Sequence, residues 1–249
     1  MNESTVDNAI YHEINGLPSK CKLYSENTRI EGRPLKLIEV KRLSGINEEN
    51  SDAIINDILR RTIKGINIDN LLVADKLYLI FWLRANTYRE SGFSVDYVCS
   101  NCKQESAFDF KLENLQIQYL SDEFTLDKFK VTLKNNDTIK YHFLTVSDER
   151  KISKFKNTYS TIIKDLDDDL ISLSVMIDSI NDESKELIEK YNYLLDLEPS
   201  DYCYLISMID EWNFGLKKYL EVKCDKCGGD ALVGITFRED FFLPKYKIR

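Results

Sequence analysis

The chain has 249 residues, 43% of them hydrophobic and 31% charged, which is enough apolar material for a normal core and excludes a disordered tail. With 42 acidic against 34 basic residues the formal net charge is −8, so an unaided hold on nucleic-acid phosphates or an anionic membrane is not expected, and a protein partner fits better. The start, MNESTVDNAI, lacks a basic region followed by an apolar one, and the apolar run Leu77 to Leu83 is too short to span a bilayer, so the sequence is read as that of a soluble intracellular protein.

In chain order, Leu35 to Leu43 reads as a strand and Ser51 to Lys64 as a helix. DKLYLIFWLRANTYRESGFSVDYVCSNC then reads as an amphipathic helix, a short strand and a Cys-x-x-Cys knuckle. Beyond the knuckle Phe108, Phe110 and Leu112 alternate with polar residues, as do Phe129, Val131 and Leu133. After the turn signal Asn135-Asn136-Asp137 the same alternation continues through Ile139, Tyr141 and Phe143, so an antiparallel hairpin is expected. From Ser147, placed as an N-cap with Asp148 and Glu149 in the first turn, helices are expected to fill Asp148 to Leu197. Leu187, Ile188, Tyr191, Leu194 and Leu195 fall on one helical face, and Pro199 is expected to end that stretch. DYCYLISMIDEWNFGLKKYLEVKCDKC then repeats the helix, strand and knuckle. Aligned on Asp75 and Asp201, the two copies share Tyr78 with Tyr204, Leu79 with Leu205 and Ile80 with Ile206, and one gap brings Cys99 onto Cys224.

The fold class expected is α+β, helices plus antiparallel strands, with the two Cys-x-x-Cys knuckles joined as a split zinc-ribbon-like site. The expected organisation is residues 1–98 (N-terminal strand and helical region with the first repeat helix), 99–147 (first knuckle and antiparallel strands), 148–200 (helical insert) and 201–249 (second repeat helix, second knuckle and C-terminal tail), packed as one unit.

Reducing cytosol keeps cysteines as thiols, and Cys99, Cys102, Cys224 and Cys227 supply the four thiolates of a closed tetrahedral structural zinc site. The 121 residues between Cys102 and Cys224 far exceed the usual spacing of about 15–20. Closing a loop of about 100 residues removes roughly 5 kcal/mol of chain entropy, whereas structural zinc binds finger peptides with an apparent 10–16 kcal/mol or so, so the metal outweighs the closure. A thioredoxin-like redox pair is disfavoured because neither knuckle runs into a helical pattern. Unligated core thiols, or relics of a lost site, remain as alternatives. Cys21 and Cys203 stand alone and read as small core residues.

Catalytic constellations are scarce. His12 and His142 lie far apart in sequence and read as surface or strand residues, and no phosphate-binding glycine loop or His-Glu-x-x-His occurs. In DLDDDL, Asp165, Asp167 and Asp169 match the first ligand positions of a calcium loop, but Leu170 replaces the required Gly and Met176 the bidentate Glu, so a solvated helix start is the better reading. An all-cysteine site leaves no open position for water, and no enzymatic activity is expected. In FREDFFLP, the apolar Phe241, Phe242 and Leu243 read either as a tail docked on the chain's own core or as anchors for a partner.

The succession of LPSKCKLY (residues 17 to 24), LKLIEVKRLS, ILRRTIKGINIDNLLVAD, LIFWLRANTYRESG before VCSNC, KCDKCGG and the closing FREDFFLP resembles the T-even-like tailed-bacteriophage baseplate hub assembly family over nearly the whole chain, and within it members of the hub assembly catalyst type. The resemblance implies a late protein that acts in the host cytoplasm, chaperone-like, on phage baseplate hub proteins during tail assembly, non-covalently and transiently, without nucleic acid or membrane. A hub subunit retained in the virion and a zinc-ribbon nucleic-acid adaptor are the rival roles. Members tend to carry Gly after Leu-Pro-Ser; Lys20-Cys21 stands there instead, which argues against a tight turn.

Overall fold

The computed structural model describes residues 9–47, 50–89, 92–217, 219–234 and 239–242. In chain order the elements are β1 (His12–Glu13), β2 (Glu31–Gly32), α1 (Leu37–Leu43), α2 (Ser51–Thr62), β3 (Ile63–Lys64), α3 (Val73–Thr87), β4 (Phe93–Val98), β5 (Glu105–Phe110), β6 (Ile117–Gln118), β7 (Lys130–Thr132), β8 (Thr138–Tyr141), α4 (Val146–Tyr159), α5 (Asp168–Met176), β9 (Ile177–Ile180), α6 (Leu187–Asp196), α7 (Pro199–Asp210), β10 (Gly215–Leu216), β11 (Tyr219–Lys223), β12 (Asp230–Gly234) and α8 (Glu239–Phe242). The strand pairs among β1–β3, β4–β5, β7–β9 and β11–β12 are all antiparallel, so the fold class is α+β as expected. Two compact units emerge: Met1–Ile68, Leu77–Gln118 and Leu216–Arg249 form one, and Asp69–Lys76 with Tyr119–Gly215 form the other.

In the first unit, α2 ends directly in β3, so the helix expected over Ser51 to Lys64 stops at Thr62 and its last two residues join the β1–β2–β3 sheet. Gly32 sits where a Cβ would lie 2.7 Å from Trp82 and 2.8 Å from Ile14, so the sheet approaches α3 at a point with no room for a side chain. Within α3, every residue from Tyr78 to Leu83 is buried. A helix apolar on all sides belongs in the interior, which explains the uninterrupted apolar run.

The strand expected over Leu35 to Leu43 is instead helix α1. The Glu39 carboxylate accepts the Lys36 N–H at 2.7 Å, capping the first turn, and receives both terminal nitrogens of the buried Arg33 at 2.8 and 2.7 Å. Val40 and Leu43, three residues apart, then face the core, while Leu37 and Ile38 stay outside at 67% and 65% exposure. The Arg33–Glu39 pair therefore overrides an alternation that would suit a strand.

The turn doubted at Lys20-Cys21 is present. Lys20 and Cys21 have φ of 53° and 59°, and Lys22 N–H reaches Ser19 O at 3.1 Å. Ser19, fully buried, accepts the Cys21 N–H on its hydroxyl and so supports a left-handed backbone without glycine.

In the second unit the expected hairpin is β7–β8, its turn held by Asn136 at φ 71° and by the Asp137 N–H on Asn135 Oδ1 at 2.8 Å. β9 adds to β8, pairing Ile180 with Ile139. The expectation that helices fill Asp148 to Leu197 is corrected at one place, β9: Ile177 and Ile180 reach inward from a strand, and Asn181 and Asp182 at φ 53° and 65° turn the chain back. Val131, Ile139, Tyr141, Leu173, Leu194 and Leu205 form the core of this unit. The N-cap of α4 is Thr145, not Ser147, because Asp148 accepts both the Thr145 N–H and its hydroxyl at 2.9 and 2.7 Å. Tyr191 and Leu194 are buried on the inner face of α6, but Leu195 is 54% exposed. Pro199 does not close α6; it occupies the first turn of α7, where its missing N–H costs nothing.

Candidate metal centre

The site lies in the first unit and is made by two hairpins, β4–β5 and β11–β12, each turning through a cysteine knuckle. The two knuckles are built alike. Cys99 N–H donates to Gln104 O at 3.0 Å and Lys103 N–H to Cys99 O at 2.9 Å; in the second, Cys224 N–H donates to Gly229 O at 2.9 Å and Gly228 N–H to Cys224 O at 2.8 Å. The amides of Asn101 and Cys102 point at the Cys99 sulfur, and those of Lys226 and Cys227 at the Cys224 sulfur. The repeat seen in the sequence thus extends to the backbone, and the helices preceding the knuckles share it locally. Asp75 and Asp201 are both buried at the third residue of their helices, and Leu79 and Leu205 are both fully buried.

The four sulfurs all lie within 4.8 Å of one another, with Cys99–Cys227 at 3.8 Å and Cys102–Cys224 at 3.9 Å. Sulfurs about 2.3 Å from a central ion at tetrahedral angles are about 3.8 Å apart, so the donor set fits one zinc-sized ion. All four cysteines are free thiols, Cys99 and Cys224 buried and Cys227 exposed. The amides of Lys226 and Cys227 pull the Cys224 thiol down to about 6, and those of Cys102 and Asn101 lower Cys99. Cys102 goes the other way: the Gln104 amide favours its thiolate, but burial and the neighbouring thiols push it up to about 11. A metal ion binding this group would displace whatever protons the sulfurs still carry.

Residues outside the Cys-x-x-Cys motifs complete the surroundings. Asn101 donates to Cys227 Sγ at 3.6 Å across the site, and the Lys226 ammonium reaches Glu105 O at 2.7 Å. Ser106 bonds Asp225, and Tyr97 reaches Cys224. These links cross from one hairpin to the other, which no spacing rule announces; the only trace in the sequence is polar residues at strand positions next to a cysteine.

The other candidates fall elsewhere. Phe242 is buried at 1% exposure, and Phe241 packs against Phe81 and Phe93 at 5.2 and 5.5 Å, its carbonyl receiving the Arg84 Nε–H at 2.5 Å. Both rings thus lie on the chain's own core, and Leu243 lies outside the described residues. Asp167 caps α5 by accepting the Leu170 N–H at 2.9 Å, the helix start read for DLDDDL. His142 is more than a strand residue: in the second unit its Nδ1 meets Asp178 at 2.7 Å and its Nε2 meets the buried Asp148 at 3.2 Å. Burial opposes its charge, yet the two carboxylates raise its pKa above the ordinary histidine value. Burial likewise works against the Asp148 carboxylate, but His142, Lys151 and Thr145 hold its pKa well below the usual range.

Among the described residues no helix is long and apolar enough to cross a membrane. No curated protein and no solved structure matches the chain. A family model described as T4 bacteriophage base plate protein does match, over residues 17–243, a span that takes in both knuckles and the core of each unit. The chain therefore belongs to the T4 bacteriophage base plate protein family.

Proposed function

We propose that this protein is a baseplate hub assembly factor that binds hub proteins transiently and non-covalently in the host cytoplasm during tail assembly, with one structural zinc ion held by Cys99, Cys102, Cys224 and Cys227. The observation that carries the reading is the closed four-thiol cluster in a chain matched to the baseplate family from residue 17 to 243. Such a site offers rigidity without an open coordination position, which suits a scaffold and not a catalyst, so the protein is read as a non-enzyme. A transient helper must bind an unassembled intermediate better than the finished assembly, since equal affinity for both shifts nothing.

Mass spectrometry of infected-cell fractions tests this. The protein is expected with unassembled hub proteins and at most in traces in purified baseplates. Fixed stoichiometry in the purified particle would replace this reading with a structural hub subunit. A salt-dependent shift of labelled DNA by the purified protein would favour a nucleic-acid adaptor.

A further inference from the structure

The β4–β5 hairpin has an exposed face and, beyond the Lys226 contact at Glu105, an edge with no strand paired to it among the described residues. Ser94, Asp96 and Val98 on β4, and Glu105, Ala107 and Asp109 on β5, are all exposed, Val98 at 61%. The register places Asp96 opposite Ala107, between Asp109 and Glu105 on the facing strand, so Asp96 is diagonal to both carboxylates. Such neighbours lie about 7–8 Å apart, inside the screening length at physiological salt of about 8 Å. None of the three pairs with a cation among the described residues. An open groove of about 570 Å³ runs beside two of them, lined by Asp96, Tyr97, Val98, Glu105 and Ser106.

The backbone adds a second feature. Cys99 N–H bonds Gln104 O, which fixes 99/104 as a hydrogen-bonded pair, and the antiparallel alternation then makes Tyr97/Ser106, Val95/Phe108 and Phe93/Phe110 the bonded pairs. Glu105, Ala107 and Asp109 must direct their N–H and C=O groups away from β4. The Glu105 carbonyl accordingly takes its partner from outside the sheet, the Lys226 ammonium. Among the described residues β5 pairs with β4 alone, so the groups of Ala107 and Asp109 lie along an open edge.

We propose that the β5 edge is a docking surface for an extended segment of a partner protein with Lys or Arg at alternate positions. The segment would add as a strand, its backbone bonding Ala107 and Asp109 and its basic side chains lying beside Glu105 and Asp109 and reaching toward Asp96. Charge selects this occupant: three unpaired carboxylates repel nucleic acid, and a second copy of a chain of net charge −8 is disfavoured on this face. The surface follows from the hairpin alone and stands whether the protein leaves the particle or stays in it.

The experiment is fluorescence anisotropy of a labelled octapeptide alternating lysine and threonine, with its glutamate–threonine counterpart as control, against zinc-loaded full-length protein. The lysine peptide is expected to bind saturably at low salt and the control not. Ala107→Pro removes one outward N–H without touching the β4 ladder, a placement proline tolerates at an edge. It should abolish binding while zinc stoichiometry and circular dichroism stay unchanged. Asp96→Asn with Asp109→Asn, which leaves the backbone alone, should weaken binding roughly tenfold. No saturable binding to the wild type overturns the proposal, as does affinity unchanged in a folded Ala107→Pro variant or in the double Asn variant.

Discussion

Lys103 and Gly228 occupy the same place in the two knuckles, each the residue after the second cysteine, each at positive φ (60° and 71°), and each donating its N–H to the carbonyl of the first cysteine. One knuckle therefore holds a left-handed turn with a lysine where the other uses glycine, and the two positions respond to substitution in opposite senses. Nothing lies within 4 Å of a Cβ placed on Gly228, so Gly228→Ala meets no clash and only backbone strain, a loss of about 1 kcal/mol. Lys103→Gly relieves the same strain but enlarges the freedom of the unfolded chain, and should gain less than about 1 kcal/mol. Chemical denaturation of the zinc-loaded variants measures both; a Gly228→Ala variant as stable as wild type would show that the turn carries no strain.

Zinc should bind at one equivalent per chain, and Cys224→Ser should abolish that equivalent while lowering the melting temperature of the first unit. Both hairpins should loosen together, because the sulfurs alternate across the site, Cys99 beside Cys227 and Cys102 beside Cys224. Hydrogen exchange at the amides of β4–β5 and β11–β12 checks this. Protection lost only in β11–β12 would show that the first hairpin stands without the ion. Chelation of the wild type is expected to reproduce the variant's pattern.

His142 gives stability a pH dependence of definite sign. Its folded pKa is raised above the ordinary 6.5, so its contribution is complete below about pH 6.5 and is lost as pH rises through the higher folded value. Asp148 behaves in the opposite way: its folded pKa lies below 3.8, so its contribution holds above that value and is lost as pH falls toward the folded one. Within the second unit this cluster therefore stabilises most between about pH 4 and 6.5. The wild-type melting temperature should decline from pH 6 to pH 8, and His142→Gln should flatten that decline. A variant whose profile parallels wild type would assign the pH dependence to other groups.

Phe242→Ala should cost about 3–5 kcal/mol, the usual consequence of emptying a buried aromatic site. Urea unfolding gives the value. A variant of wild-type stability that no longer supports hub assembly in infected cells would instead assign the ring to a partner.

The sequence carried the site better than it carried the fold around it. Cys-x-x-Cys is a local motif with fixed chemistry, so both knuckles and their flanking strands could be read directly, as could the β7–β8 hairpin from Asn135-Asn136-Asp137. The missed elements are decided by contacts far apart in the chain or by a single polar group. α1 is helical because Glu39 caps Lys36 and pairs with Arg33, while LKLIEVKRL by itself alternates well enough for a strand. β9 follows directly on α5, and only the pairing of Ile180 with Ile139 across the β8 ladder separates strand from helix. At Lys20-Cys21 the buried Ser19 hydroxyl supports a turn that residue type disfavours. The links from Asn101 to Cys227 and from Lys226 to Glu105 exist only once the hairpins meet.

The order of the ligands along the chain sets a timetable for biosynthesis. Cys99 and Cys102 leave the ribosome with 121 residues still to come before Cys224, which at translation rates of about 5–20 residues per second is roughly 6–24 s. During that interval the first knuckle has two sulfurs and no partner pair, while the whole of Tyr119–Gly215 emerges. A chain interrupted anywhere in that stretch keeps two of the four clustered sulfurs and lacks the other two. Closing the four-sulfur cluster therefore has to wait until synthesis has passed Cys227, and chains terminated before that point should be recognisable to proteases by their open first hairpin.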